Sequence, residues 1–319
     1  MQCIGVDVSK QILVTYDGER ERVFPNRKGL PELAAFLDHG REVLIVFEAT
    51  STYSRNLEAL CRERGLPMVK LNPRLIPNLR EVSNKRGKTD QTDAELLYRY
   101  GAEWGGGEAR EPQAVDRLTR AISVQLAIYR VIQKARVAYQ GLFEALSQDP
   151  ATPKGLLAEL TGMITSLKEK ERECIARAQE LIAEEEKAAA SFQALLSIPG
   201  VGPITALTLL ALFRRYPDTN RRQIVALAGL DPIEHHSGSA VHKKPRISKR
   251  GSGELRKRLY EATLPAARFN PAVKEIYRRM KERGKPEKVA RIAAARKLLL
   301  IAHAIYKSGE SYRAPQEAT

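Results

Sequence analysis

Over the first seventy residues the apolar positions fall in short, dense runs. Cys3, Ile4, Val6 and Val8 predict a buried strand over residues 2–8, residues 11–16 read as a second strand, and residues 22–24 as a third. Asp17-Gly18 is a hairpin-turn signal between the last two, so these three strands are expected to pair antiparallel. Residues 30–37 have helical spacing, 42–47 form an unbroken apolar strand, 53–64 are again helical, and 67–71 give a short last strand. A further helix is expected from Asp90, with Ala94, Leu96, Leu97 and Tyr100 as its apolar positions.

From Asp116 the period lengthens. Leu118, Ile122, Tyr129, Ile132, Tyr139, Phe143 and Leu146 keep alternating three- and four-residue spacing, interrupted by Gln125 and Arg136, and Asp149-Pro150 stops the helix. Thr152-Pro153 opens a second helix with the same pattern through Leu181, so the pair predicts a long antiparallel coiled-coil arm. Either the two helices close on each other within the chain or the arm is a dimer or partner surface. Next, Ile198-Pro199-Gly200-Val201-Gly202-Pro203 joins two helices through a tight turn with the spacing of a helix-hairpin-helix. Gly200 and Gly202 there leave backbone N–H groups accessible at a helix N-terminus, a place for a nucleic-acid phosphate, although a Pro-Gly turn is also ordinary connection chemistry. A helix over residues 221–230 is followed by a polar loop that runs to a new helix near Gly253, and two final helices occupy residues 271–308.

Three meandering strands followed by helix–strand units are the element order of a ribonuclease-H-like fold, in which the first and fourth strands lie side by side. The expected class is therefore α/β followed by all-α. Residues 1–112 make the ribonuclease-H-like domain, 113–190 the helical arm, and 191–319 a mainly helical C-terminal domain.

Two acids stand at the ends of apolar strands in this frame, Asp7 and Glu48, where a charge is costly unless something binds it. Asp90 and Asp93, three apart at the head of a helix, point to one face; capping and the positive helix end would also account for acids there. Four carboxylates gathered together need a counter-charge, and a hard divalent cation, magnesium or manganese in its place, fits oxygen donors. Two such ions would clamp the attacking and leaving oxygens of an in-line phosphoryl transfer.

The formal net charge of +15 adds an anionic partner, with nucleic acid ahead of membrane. From Lys243 to Arg258 there are eight basic residues, Lys243, Lys244, Arg246, Lys249, Arg250, Arg256, Lys257 and Arg258, against the single acid Glu254. This block is expected to contact phosphates. Ser237, in the Gly-containing loop just before it, is a candidate nucleophile whose attack on phosphorus the nearby cations would stabilise. Ser248 is its rival, with a cap or a phosphate hydrogen bond as the alternative role, and His235 and His236 are candidate helper bases. No run reaches the roughly 18 apolar residues of a membrane span, which predicts a cytoplasmic protein. Cys3, Cys61 and Cys174 have neither disulfide nor zinc spacing and are expected to be structural.

Taken in series, Gly5-Val6-Asp7, Phe47-Glu48-Ala49-Thr50, Asn72-Pro73, Lys88-Thr89-Asp90-Gln91-Thr92-Asp93-Ala94, Ser197-Ile198-Pro199-Gly200-Val201-Gly202, Ala228-Gly229-Leu230-Asp231-Pro232, Ser237-Gly238 and Ile247-Ser248-Lys249-Arg250-Gly251 resemble the DEDD insertion-sequence transposases. That family includes the Piv-type DNA invertases, and the resemblance covers nearly the whole chain. It implies a Holliday-junction-resolvase-like N-terminal domain with its acidic tetrad at Asp7, Glu48, Asp90 and Asp93, and a serine nucleophile at Ser237. It also implies double-stranded DNA as substrate, a structured bridge RNA as guide, a dimer assembling into a synaptic tetramer, and a nucleoid-associated prokaryotic setting. Ser51 and Thr263 stand where many relatives carry glycine and alanine. Two other readings fit the same residues: a resolvase-like nuclease in which metal-activated water attacks, and a non-catalytic nucleic-acid-binding scaffold.

Overall fold

The Asp17-Gly18 turn closes a hairpin between β2 (Ile12–Tyr16) and β3 (Glu21–Pro25). Asp17 Oδ1 accepts hydrogen bonds from the backbone N–H groups of Glu19 and Arg20 at 3.0 and 2.8 Å, and Gly18 takes the left-handed φ of +106° that the turn requires. In the computed structural model, residues 2–37, 42–48, 53–82, 90–104, 116–237 and 241–314 are described, with residues 74, 82, 90, 234–237 and 241–245 described in backbone alone. They divide into two units, Met1–Ala114 and Val115–Thr319.

In the first unit, β1 (Gln2–Val8) pairs antiparallel with β2 and parallel with β4 (Val43–Glu48), and β4 pairs parallel with β5 (Met68–Leu71). The strand order β3-β2-β1-β4-β5 sets the first and fourth strands side by side at the centre, as expected. Both faces of β1 and β4 are covered, so their sequences are continuously apolar rather than alternating. On one face Ile4, Val6, Ile45 and Phe47 pack against Leu33 of α1 (Leu30–Leu37) and Leu57 of α2 (Arg55–Glu63). On the other, Cys3, Leu44 and Val46 pack with Ile76 of α3 (Ile76–Val82) and Leu97 of α4 (Asp90–Trp104). The short α3, preceded by a 3₁₀ turn over Pro73–Leu75, has no counterpart in the sequence expectation: seven residues show too little of the helical period.

The second unit starts with α5 (Arg117–Ser147), whose N-terminus Asp116 caps by accepting from Thr119 N at 2.8 Å. It packs antiparallel along α6 (Lys154–Ala183) within the chain. Arg136, which interrupts the apolar seam, is matched across it by Glu171 at 2.7 Å. Then come α7 (Glu186–Leu196), α8 (Pro203–Arg215) and α9 (Arg221–Ala228), the last opened by an Asn220/Gln223 capping box and closed by Gly229 in the left-handed conformation. Helices α10 (Gly253–Phe269), α11 (Pro271–Glu282) and α12 (Glu287–Ser308) complete a core built on Leu195, Leu207, Leu210, Leu259, Leu298 and Leu299. Thr263 is buried in α10; its hydroxyl donates to Tyr260 O at 2.6 Å and accepts from Arg291 Nε at 3.1 Å, a bond alanine could not make. Ser51 lies outside the described residues.

One expectation is corrected. The stretch read as a loop between α9 and α10 is a two-stranded antiparallel hairpin, β6 (Pro232–Ser237) and β7 (Val241–Ile247), with a register shift between Ile233 and His235. Its Glu, His and Lys residues give no apolar alternation, so the backbone ladder escapes pattern reading.

Candidate active site

Asp7 sits one residue beyond Val6, which is in register with Phe47, and Glu48 follows Phe47. The two acids thus occupy equivalent positions at the C-terminal ends of neighbouring parallel strands, on the face that α4 covers. Two glycines set how close that helix comes. A Cβ on Gly5, two residues before Asp7, would lie 2.1 Å from Ala94 O and 2.4 Å from Tyr98 N. One on Gly101 would lie 2.2 Å from Cys3 Sγ and 2.6 Å from Val46 Cγ2. The backbone of α4 therefore touches down on β1 at Ala94 and Tyr98, on the sheet face that bears Asp7 and Glu48.

Asp93 is buried and ion-paired with Arg80 of α3: the guanidinium Nε donates to Oδ1 at 3.1 Å and Nη2 reaches both carboxylate oxygens. Sequence reasoning missed Arg80; a lone arginine in a seven-residue helix carries no signal. The side chain of Asp90 lies outside the described residues, and its backbone begins α4. Among the described residues no three acidic, His or Cys side chains group as metal ligands. In chemistry, though not as a formed cage, the donors suit a hard cation: Asp7, Glu48 and Asp93 offer carboxylate oxygens, and the charge beside Asp93 is already met by a cation, the Arg80 guanidinium. Burial pushes the Cys3 and Cys61 thiols up to about 12.

A second feature of this unit also went unforeseen. A cavity of about 410 Å³ is lined by Lys10, Arg27, Arg55, Tyr53, Asn26 and Asn56, starting three residues after Asp7. Asn26 organises it, donating to Ser9 O at 2.8 Å and Tyr53 O at 3.2 Å and accepting from Asn56 Nδ2 at 3.1 Å.

In the other unit, Ser237 ends β6 opposite Val241. The side chains of Ser237, His235, His236, Lys243 and Lys244 lie outside the described residues. The base of the hairpin is well defined. Ser248 N donates to Asp231 O at 2.9 Å, Ser248 Oγ donates to Asp231 Oδ1 at 2.5 Å, and Lys249 N donates to Gly229 O at 3.1 Å, with Lys249 at a left-handed φ of +53°. The two motifs Ala228–Pro232 and Ile247–Gly251, distant in sequence, are thus one structural joint. Ser248, the rival serine, spends its hydroxyl proton on Asp231.

The basic residues divide in role. Arg246, Lys249 and Arg250 are exposed. Arg256 is half-buried, its Nη1 donating to Ala228 O at 3.0 Å and Gly251 O at 2.8 Å, so it ties the joint to α10. Gly202 caps α8 with open space where a side chain would be, whereas a Cβ on Gly200, at φ +98°, would lie 2.5 Å from Ala266 Cβ. No helix among the described residues is long and apolar enough to cross a membrane.

Two family models match the chain. Residues 192–278 match one described as transposase of the IS116/IS110/IS902 family, and residues 4–137 match the DEDD transposase model of IS110. Among similar proteins, the pilin gene-inverting protein of Moraxella lacunata is 26% identical over 97% of each chain. A putative transposase of Sinorhizobium fredii, y4pF/y4sB, is 26% identical over 97% of this chain and 85% of its own. An uncharacterised 43.6 kDa protein of the insertion element IS110 from Streptomyces coelicolor is 24% identical over 76% of this chain and 58% of its own.

Proposed function

We propose that this chain, whose residues 4–137 and 192–278 match the IS110-type DEDD and IS116/IS110/IS902 transposase models, is a DNA recombinase that cleaves and exchanges DNA strands through a serine–phosphate intermediate at a metal-assisted site. Asp7, Glu48, Asp90 and Asp93 are the carboxylates that hold magnesium, with manganese an acceptable replacement. When bound, the cation supplies charge stabilisation to the in-line displacement. Ser237 Oγ attacks the scissile phosphorus; a serine–phosphate bond forms, the bond to the leaving strand breaks, and the serine's proton ends on the hydroxyl released. A hydroxyl of the exchanged strand then reverses the step, so the phosphodiester is conserved without an external energy source. Arg246, Lys249 and Arg250 face backbone phosphates, along with Lys243 and Lys244.

The observation that carries this reading is the strand register that sets Asp7 and Glu48 at neighbouring parallel strand ends, on the sheet face where α4 seats against Gly5; Asp93 of that helix is our candidate for the third carboxylate. The strand order and the parallel β1–β4 pair support a ribonuclease-H-like fold for residues 1–112. The Pro199–Gly202 turn supports a helix-hairpin-helix within 191–319, with Gly202 as its phosphate-facing member. Residues 113–190 serve as the arm of a homodimer that assembles into a synaptic tetramer. A bridge RNA as guide follows from the family resemblance.

The test is a denaturing gel for a covalent protein–DNA adduct, with element-end DNA, RNA transcribed from the flanking region and magnesium. Wild type is expected to form the adduct, while Ser237→Ala and Asp90→Asn bind DNA without forming it. An adduct that persists in Ser237→Ala removes the nucleophile assignment, and cutting by wild type without any adduct hands the role to water. A protein that binds equally well with chelator and never cuts is a scaffold.

A further inference from the structure

A cavity of about 520 Å³ opens within the C-terminal unit among α5, α8 and the start of α10. Its size lies within the roughly 300–1,000 Å³ of small-molecule sites. Leu126, Leu212 and Leu227 supply apolar lining, and three exposed arginines, Arg130, Arg215 and Arg250, share it. None of the three has an ion-pair partner among the described residues. Glu254, the acid on the lining, is already neutralised: it pairs at 2.6 Å with Arg258, which also bonds Glu261 at 3.1 Å and Gln133 Oε1 at 2.7 Å and lies over the Tyr129 ring. The Arg215 guanidinium carbon lies 5.6 Å from the centroid of the Tyr216 ring, and both residues line the cavity with the leucines. Gly251 and Ser252 bring the positive first turn of α10 to the same cavity.

An apolar pocket is of no use to a phosphate alone, and bases stacked inside a duplex cannot enter one. A site that joins apolar walls, a cation beside an aromatic ring and exposed arginines matches an unstacked base with its phosphate attached. We propose that this cavity receives one unpaired nucleotide of a nucleic-acid strand, its base against Leu126, Leu212 and the Arg215–Tyr216 pair and its phosphate on Arg250 and the first turn of α10. The inference rests on the nucleic-acid-handling part of the proposed function, not on Ser237 or the carboxylates. DNA and RNA share the chemistry named.

Fluorescence anisotropy on the full chain tests it with four probes: oligothymidylate, oligouridylate, a deoxyribose-phosphate strand of equal length lacking bases, and a blunt DNA duplex. Ala127→Trp fills the cavity from an exposed position of α5, and Arg215→Ala removes the planar cation. Both variants should weaken binding of base-bearing single strands about tenfold and leave the base-free strand and the duplex within about twofold of wild type. Loss confined to oligothymidylate identifies DNA as the source, and loss confined to oligouridylate identifies RNA. Equal losses on all four probes, or no loss in Arg215→Ala at unchanged melting temperature, overturn the inference while leaving the recombinase reading intact. A wild type that binds none of the probes overturns both.

Discussion

Around Asp7 and Glu48 the neighbouring strand positions are buried on both faces of a five-stranded sheet, and a helix is pressed onto them through glycine contacts. The hairpin that ends in Ser237 is instead fixed at its base, by the Asp231–Ser248 and Gly229–Lys249 bonds, and continues as a backbone ladder. The proposed gathering of carboxylates would work against their mutual repulsion, and a sheet buried on both faces with a helix seated on glycine is a frame suited to hold them. A ladder fixes register through backbone bonds, so its sequence need not carry the apolar runs that β1 and β4 show.

The strongest way to break that contrast is at Arg80. Removing it in Arg80→Ala strands the buried Asp93 carboxylate, a loss of about 3–5 kcal/mol in denaturant unfolding of the full chain. If the carboxylates bind magnesium, the variant should recover stability with added magnesium more than wild type does, by mass action. Equal response of both proteins would separate Arg80 from the metal site. Gly5→Ala comes next: its methyl meets helix backbone, which cannot swing aside, so a cost at the upper end of about 1–3 kcal/mol is expected together with loss of cleavage. Full cleavage at wild-type stability would show that the seating of α4 does not matter. Ser248→Ala should be the mildest, about 1 kcal/mol or less for the bond to Asp231, with adduct formation falling more than DNA binding. A variant that lost binding and adduct together would make the joint a DNA contact rather than a support for Ser237.

Sequence reading did best where burial is periodic and turn chemistry is local. The Asp17-Gly18 hairpin and the breaks at residues 148–153 and 283–286 are marked by residues close in sequence, whereas the neighbouring first and fourth strands follow from the order of the elements. It missed α3 and with it Arg80, because seven residues hold two turns of helix at most, and it read β6–β7 as loop because His235, His236, Lys243 and Lys244 show no apolar face. Of the candidate site, Asp7 and Glu48 were legible as charges ending apolar strands. That Arg256 binds backbone, and that Gly200 serves a helix contact while Gly202 faces open space, depends on residues tens of positions away.

The arm has one more consequence. At 1.5 Å of rise per residue, the 31 residues of α5 extend about 46 Å. That is the length of about 14 stacked base pairs at 3.4 Å each. Because the span is made of hydrogen-bonded helix and not of linker, it works as a ruler: whatever the tip at residues 148–153 meets, it meets at a constant distance from the core that encloses Ile122. Adding or deleting seven residues in each helix would move that mark by about 10 Å.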